Sequence, residues 1–243
     1  MTSLREFNLM MQPYGDSALL IDIEADSTDA STNVVMALNT QLKQERIRGI
    51  ISTTPSYTSL LVCFDSARLQ KSALQIKIQA IADAIDTGQI PQGRQWSLPA
   101  CFDEGFALDR AALEDELSRD WQSIIECFCS TNYRVNAIGF LPGFTYLGNL
   151  PSGLNCSRMK NPRAKVPSSS IAIAGNQAGL YPLDSPGGWR IIGRLPLPIF
   201  RAEASEPAIF QPNDRITFKS VTPEIFRELR EQPVESLIKQ ARG

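Results

Sequence analysis

The sequence predicts an α+β protein of two domains, a small mixed one followed by a larger one rich in short strands. Three observations carry this. The first part of the chain reads as strand-strand-helix-strand-strand-helix. A polar stretch over 87–95 then reads as a linker. From Tyr133 onward, short apolar runs alternate with glycine and proline, the texture of a compact β-barrel or sandwich.

Residues 5–24 alternate well enough for two strands, with Tyr14-Gly15-Asp16 as the turn between them. Helical spacing follows over 29–46, where Val34, Val35, Leu38 and Leu42 share a face. Strands at 48–55 and 58–64 meet near Pro55-Ser56. A second amphipathic helix is expected over 68–86, carrying Leu69, Leu74, Ile76, Ile78, Ile81 and Ile85. The second domain opens with a strand at 96–101. Helices are expected at 109–117 and 120–130, with Asp109 and Ser118 as N-caps. The strand-like runs VNAIGF, SIAIAG, GLYPL, WRIIG and RITFKSV come next. A helix over 223–231 and a docked or frayed tail, QPVESLIKQARG, follow them. No internal repeat or low-complexity run occurs.

Composition excludes several classes. The chain has 243 residues, 43% apolar and 21% charged, which is the make-up of a globular protein and not of a disordered one. A net charge of −2 leaves no footprint for nucleic acid or an anionic membrane. There is no histidine. That removes Ser-His-Asp and Cys-His nucleophiles, imidazole metal sites and the commonest proton carrier near neutral pH. No intrinsic metal is expected. The five cysteines, at 63, 101, 127, 129 and 156, are odd in number and contain no CxxC pair. They read as thiols in a reducing cytoplasm, not as a disulfide framework. The N-terminal MTSLREFNLMMQ lacks a signal pattern, and no apolar window approaches 18 residues, so a cytoplasmic protein without a membrane span is expected.

The unusual residues collect in one segment. Residues 133–201 hold nine of the 15 glycines and eight of the 16 prolines. They also hold eight basic residues (Arg134, Arg158, Lys160, Arg163, Lys165, Arg190, Arg194, Arg201) against one acid, Asp184, a local charge of 8 − 1 = +7. Such a segment on an acidic protein suits an anionic ligand or an acidic partner. Three motifs lie in it. GFLPGFTYLGNLP (139–151) offers tight turns with Phe140, Phe144 and Tyr146 as aromatic walls. NPRAKVPSSSIAIAGNQAGLYP (161–182) offers backbone amides in a turn with the side-chain amides of Asn176 and Gln177. SPGGWRIIGR (185–194) offers close backbone approach at Gly187-Gly188, flanked by Trp189, Arg190 and Arg194. Trp189 reads equally as a core residue, Gln177 as a structural amide and Asp184 as a turn aspartate. Neither GxxxxGK[ST] nor GxGxxG is present, so if ATP binds, the usual phosphate cradle is not what holds it.

Together these motifs closely resemble the family called allophanate hydrolase subunit 1, which includes the B component of bacterial 5-oxoprolinase and the KipI inhibitor of a sporulation histidine kinase. The resemblance is dense over 133–200 and looser at YGDSALLIDI (14–23) and LPACFD. It implies a small N-terminal α+β (ferredoxin-like) domain at 1–88. A cyclophilin-like β-barrel domain would follow at 95–243, motif-rich over 133–201. It also implies one component of an ATP-dependent enzyme that turns 5-oxoproline, ATP and water into glutamate, ADP and phosphate. A C-type barrel protein would share a composite activation site, and an A-type component would open the ring. On this resemblance Arg190, Arg194 and Gln177 are the expected catalytic groups. Arg163, Gly175, Asn176, Tyr181, Gly187, Gly188, Trp189, Phe140 and Phe144 are the expected substrate or anion contacts. ATP would come with Mg, the ion touching Asp184 or held by the partner. Two departures stand out. Phe128 occupies a position where family members commonly carry histidine, and Ser169 replaces a glycine in Pro167-Ser168-Ser169-Ser170. The alternatives implied are a KipI-like, non-catalytic regulator that binds a kinase, or part of an enzyme for another lactam or a urea-like substrate.

Overall fold

The structure is a computed structural model, described over residues 7–86, 93–148 and 150–242. The chain divides into two compact units, Met1–Gln92 and Gly93–Gly243. The linker residues 87–92 and Asn149 of the first motif lie outside the described residues.

In the first unit, β1 (Phe7–Pro13) and β2 (Ala18–Ala25) form a hairpin that leads into α1 (Thr28–Glu45). A second hairpin, β3 (Ile50–Ser56) and β4 (Ser59–Phe64), leads into α2 (Lys71–Asp83). The strands lie in the order β1-β2-β4-β3, antiparallel throughout. This is two hairpin-plus-helix repeats, ββαββα. It is not the βαββαβ order of a ferredoxin-like domain, and that expectation is corrected. Period-two burial of Leu19, Ile21 and Ile23 on β2, and of Leu60, Val62 and Phe64 on β4, gives the sheet one apolar face. Val34, Val35, Leu38 and Leu42 of α1 and Leu74 and Ile78 of α2 cover it. Ser27 caps α1, its hydroxyl accepting from the Ala30 amide at 3.1 Å. Ile76, expected on the apolar face of α2, points outward and is exposed.

In the second unit, β5 (Gln95–Ala100) is followed by α3 (Arg110–Leu117) and α4 (Trp121–Cys129). Then come β6 (Tyr133–Ile138), β7 (Thr145–Leu147), β8 (Arg163–Val166), β9 (Ser170–Ala174), β10 (Gln177–Leu180), β11 (Ser185–Gly187), β12 (Arg190–Arg194) and β13 (Arg215–Ser220). Helices α5 (Pro223–Arg230) and α6 (Val234–Ala241) follow, so the tail is docked helix, with Leu237 and Ala241 buried. The main sheet runs β5-β13-β6-β7-β10-β9-β12, and β8 pairs separately with β11. β5 and β13 are parallel, with Gln95 opposite Arg215 and Ala100 opposite Ser220.

Among the described residues no ladder joins β12 back to β5; a single bridge, Cys101 to Arg194, links their ends. The sheet is therefore open, and the expected cyclophilin-like β-barrel is not formed. Local chemistry explains the missing closure. β12 runs into Leu195-Pro196-Leu197-Pro198, whose prolines have no N–H to extend a ladder. On the other side Phe102 occupies the space beside Gly193, where a Cβ would come within 2.6 Å of its ring.

The two expected N-caps also change roles. Ser118 is the left-handed C-cap of α3, and Asp120 caps α4 by accepting from the Ser123 amide at 2.9 Å. Asp109 precedes α3 but its side chain makes no cap bond.

Candidate functional site

Asp109 instead organises the start of β8 and β12. Its carboxylate is 4% exposed and accepts both Nη groups of Arg163, at 2.8 and 2.7 Å. The Ile191 amide donates to it at 2.6 Å, and Arg190 Nη1 stands 3.7 Å away. Arg190 also reaches Glu116 of α3 at 3.4 Å and donates through Nε to the Ser157 carbonyl at 3.3 Å. Glu116 accepts from the Ser157 amide at 2.6 Å. Two of the arginines expected to meet an anion are thus already neutralised by carboxylates from α3 and its approach. Neither acid lies in the segment that carries the arginines.

Further along the chain, Lys165 pairs with Asp184 at 2.8 Å, and Arg201 pairs with Glu235. Asp184 also accepts from the Ser168 amide at 2.7 Å, and together these partners hold its carboxyl below the usual range. It is a turn aspartate. Arg194 sits at the far end of β12 from Arg190 and donates to the Ser168 carbonyl at 2.9 Å. The two expected catalytic arginines therefore do not converge.

The glycines and aromatics of the motifs form a packed box. Phe144 meets Tyr181 at 5.0 Å and Trp189 at 5.7 Å, both edge-on, and all three are buried. Gly187 exists for this packing, since a Cβ there would fall 2.3 Å from the Tyr181 hydroxyl. Gly188 has ordinary space around its missing Cβ. Phe140, by contrast, is 70% exposed. It is the central residue of a γ-turn, with φ +69 and the Leu141 amide donating to the Gly139 carbonyl at 2.9 Å.

What the structure does bring together is an open cleft of about 570 Å³. One wall is Asn155, Cys156, Ser157 and Arg158; the other is the β9–β10 hairpin with Gly175, Asn176 and Gln177; Glu116 borders it. Gly175 takes φ +57 at the first position of the two-residue hairpin loop, where such turns need glycine. The walls are tied by the Gly175 amide donating to the Cys156 carbonyl at 2.7 Å. Arg158 lies over the Trp189 ring, 5.7 Å from its centre. Cys156 is the thiol of the cleft, but burial, reinforced by Glu116, pushes it up to about 12. It stays protonated at neutral pH.

Asp109, Glu116 and Arg158 do not stand out in the sequence. Asp109 and Glu116 lie outside the motif segment, and Arg158 is one of eight basic residues there with nothing to single it out. Phe128, expected to stand in place of a histidine, is fully buried among Phe102, Tyr133 and Phe218 and is a core residue here. Among the described residues no group of three or more His, Cys, Asp or Glu side chains could hold a metal ion, and no helix is long and apolar enough to cross a membrane.

The chain belongs to the family described as carboxyltransferase domain, subdomain C and D, whose pattern matches residues 9–210. Among curated proteins it is similar to the 5-oxoprolinase B component of Bacillus subtilis, 26% identical over 235 residues, covering 91% of this chain and 97% of that protein. It is also similar to the 5-oxoprolinase B component of Escherichia coli O157:H7, 29% identical over 205 residues, covering 84% and 92%. A crystal structure of TTHA0988 superposes with a TM-score of 0.73 at 26% identity, covering 88% of this chain and 41% of that longer one.

Proposed function

We propose that the chain is the B-type component of an ATP-dependent 5-oxoprolinase and lends one wall of a composite activation site to a C-type barrel partner. One observation carries this reading: the correspondence to the B component of B. subtilis runs through nearly the whole of both chains. The geometry is consistent with a protein that does not act alone. Its cleft has three side-chain amides and a guanidinium, yet no histidine and no ionised thiol.

A lactam resists hydrolysis because its nitrogen shares electrons with the carbonyl. ATP would supply a phosphoryl group to the lactam oxygen and so make the ring carbon open to water. In this chain, the side-chain amides of Asn176 and Gln177 would face the charge that develops on oxygen, the Gly175 amide being held by the Cys156 carbonyl. Arg190 would act one step back, fixing Glu116 and the Ser157 carbonyl and so the floor of the cleft. The residues do not fit a magnesium site. Asp184 is occupied by Lys165 and Ser168, so the ion that accompanies ATP is assigned to the partner. The ring-opening A-type component completes the reaction.

The test is ATP-dependent release of glutamate from 5-oxoproline by this chain mixed with candidate C-type and A-type proteins, with each omitted in turn. Glutamate only from the full mixture is the expected result. A stable complex without glutamate would redirect the reading to another lactam or a urea-like substrate. The regulatory reading, in which the +7 segment meets an acidic kinase surface, loses its premise where Arg163, Lys165, Arg190 and Arg201 are spent on internal carboxylates.

A further inference from the structure

We infer that Arg158 is the seat of a compact oxyanion in the cleft, the carboxylate of a small lactam acid or a phosphate group. This rests on the enzymatic reading above and deepens it. Arg163 and Arg190, which flank this region, end on carboxylates, as do Lys165 and Arg201. Arg158 has no carboxylate partner among the described residues; its guanidinium lies on the face of Trp189. Glu116, the acid that borders the cleft, is engaged by Arg190 and the Ser157 amide. Arg158 is the basic residue among those lining the cleft, so its positive charge is left on the rim of a concave space of ligand size.

The guanidinium is also pre-positioned. Its backbone is pinned on both sides, by the Ser157 amide on Glu116 and by the Met159 amide donating to the Gly188 carbonyl at 2.8 Å. The Trp189 ring beneath it is buried and gripped by Phe144 and Tyr146. Arg158 is near enough to Tyr146 to oppose the rise that burial gives its hydroxyl. A planar fork fixed in this way suits bidentate binding of a carboxylate or phosphate. On the hairpin wall, the exposed side-chain amide of Asn176 then offers the neutral donor and acceptor that a lactam ring or a ribosyl group would need.

The test is an NMR titration of the full chain, reading the Trp189 indole and arginine Nε signals, with three probes. They are 5-oxoproline, 2-pyrrolidone (the same ring without the carboxylate) and inorganic phosphate. The expected result is saturable shifts with 5-oxoproline, none with 2-pyrrolidone, and affinity weakened about tenfold or more in Arg158→Ala, the equivalent of one lost charge-assisted contact. Arg158→Lys should retain part of it. Saturation by phosphate alone, again dependent on Arg158, would keep the seat and assign it to a phosphate. Absence of any Arg158-dependent shift with either anion overturns the inference. Arg158 is exposed, so its variants should melt like the parent and leave the readout interpretable. In the assembled complex, Arg158→Ala should raise KM for 5-oxoproline about tenfold with little change in kcat. An unchanged KM would remove the inference but leave the enzymatic reading. Arg158-dependent binding without turnover by the parent complex would do the reverse.

Discussion

Three hydrogen bonds converge on Asp109, and its side chain is almost wholly buried. Asp109→Asn keeps the shape but cannot hold the Arg163 fork, leaving a guanidinium unpaired. The expected cost is about 3–5 kcal/mol in urea unfolding. Sequence alone offered this aspartate only as a helix cap, because its partners lie 54 and 82 positions away. Ser169 is a second case. It holds φ +62, and its hydroxyl donates to the Leu197 carbonyl at 2.9 Å. Ser169→Ala keeps the left-handed backbone and loses the bond, whereas Ser169→Gly loses the bond but relieves the backbone. Thermal unfolding should therefore find Gly more stable than Ala by about 1 kcal/mol. Cysteine titration gives a third expectation. Burial raises Cys129 to about 11 and Cys156 to about 12. A thiol raised on folding stabilises fully below its unfolded value, near 9, and this contribution is lost as pH climbs through the folded value. Stability should fall between about pH 9 and 12, and at about pH 8 both thiols should resist iodoacetamide until urea is added. Rapid native labelling at Cys156 would contradict the burial described.

Elements with a clear period were legible in sequence. The face of α1 made by Val34, Val35, Leu38 and Leu42 is the face that is buried, because helix amphipathicity is a local property. The hairpin at Tyr14–Asp16 was visible for the same reason. The packing of the glycine motifs was not. Gly187 reads as room for a ligand, yet the place of its missing Cβ is taken by the Tyr181 hydroxyl, and at Gly179 the Phe144 and Trp189 rings stand in the same way. A motif states that something approaches a backbone, and only the fold says what. Gly187→Ala should therefore disturb the aromatic box, costing about 1–3 kcal/mol and reducing the near-ultraviolet circular dichroism signal. If it melted like the parent with its aromatic signal intact, the box would not be the reason for the glycine. The turn at Phe140 was equally hidden, since a bulky residue at positive φ leaves no signature in composition.

At the scale of the molecule, sequence indicated two bodies but not how the second is finished. Whether a run of short strands closes on itself depends on its last neighbours. Here Pro196 and Pro198, placed directly after β12, leave the sheet open. The first unit has its own core, so a chain stopped at Gln211 should keep it folded while the second unit loses β13 and Asp214. All three tryptophans lie in the second unit, so their near-ultraviolet signal should vanish while amide protection in the first unit survives. Persistence of that signal would contradict the importance assigned to β13. Asp214 matters because Arg94 and Trp96 both donate to its carboxylate, from about 120 positions upstream. The parallel pairing of β5 with β13 therefore has a cost in time. At synthesis rates of roughly 5–20 residues per second, β5 leaves the ribosome roughly 6–24 s before its partner exists. Throughout that interval Trp96 and Leu98 have no β13 to rest against, and the first unit can already be finished. The nascent second unit is thus the part of the molecule that would call on a chaperone.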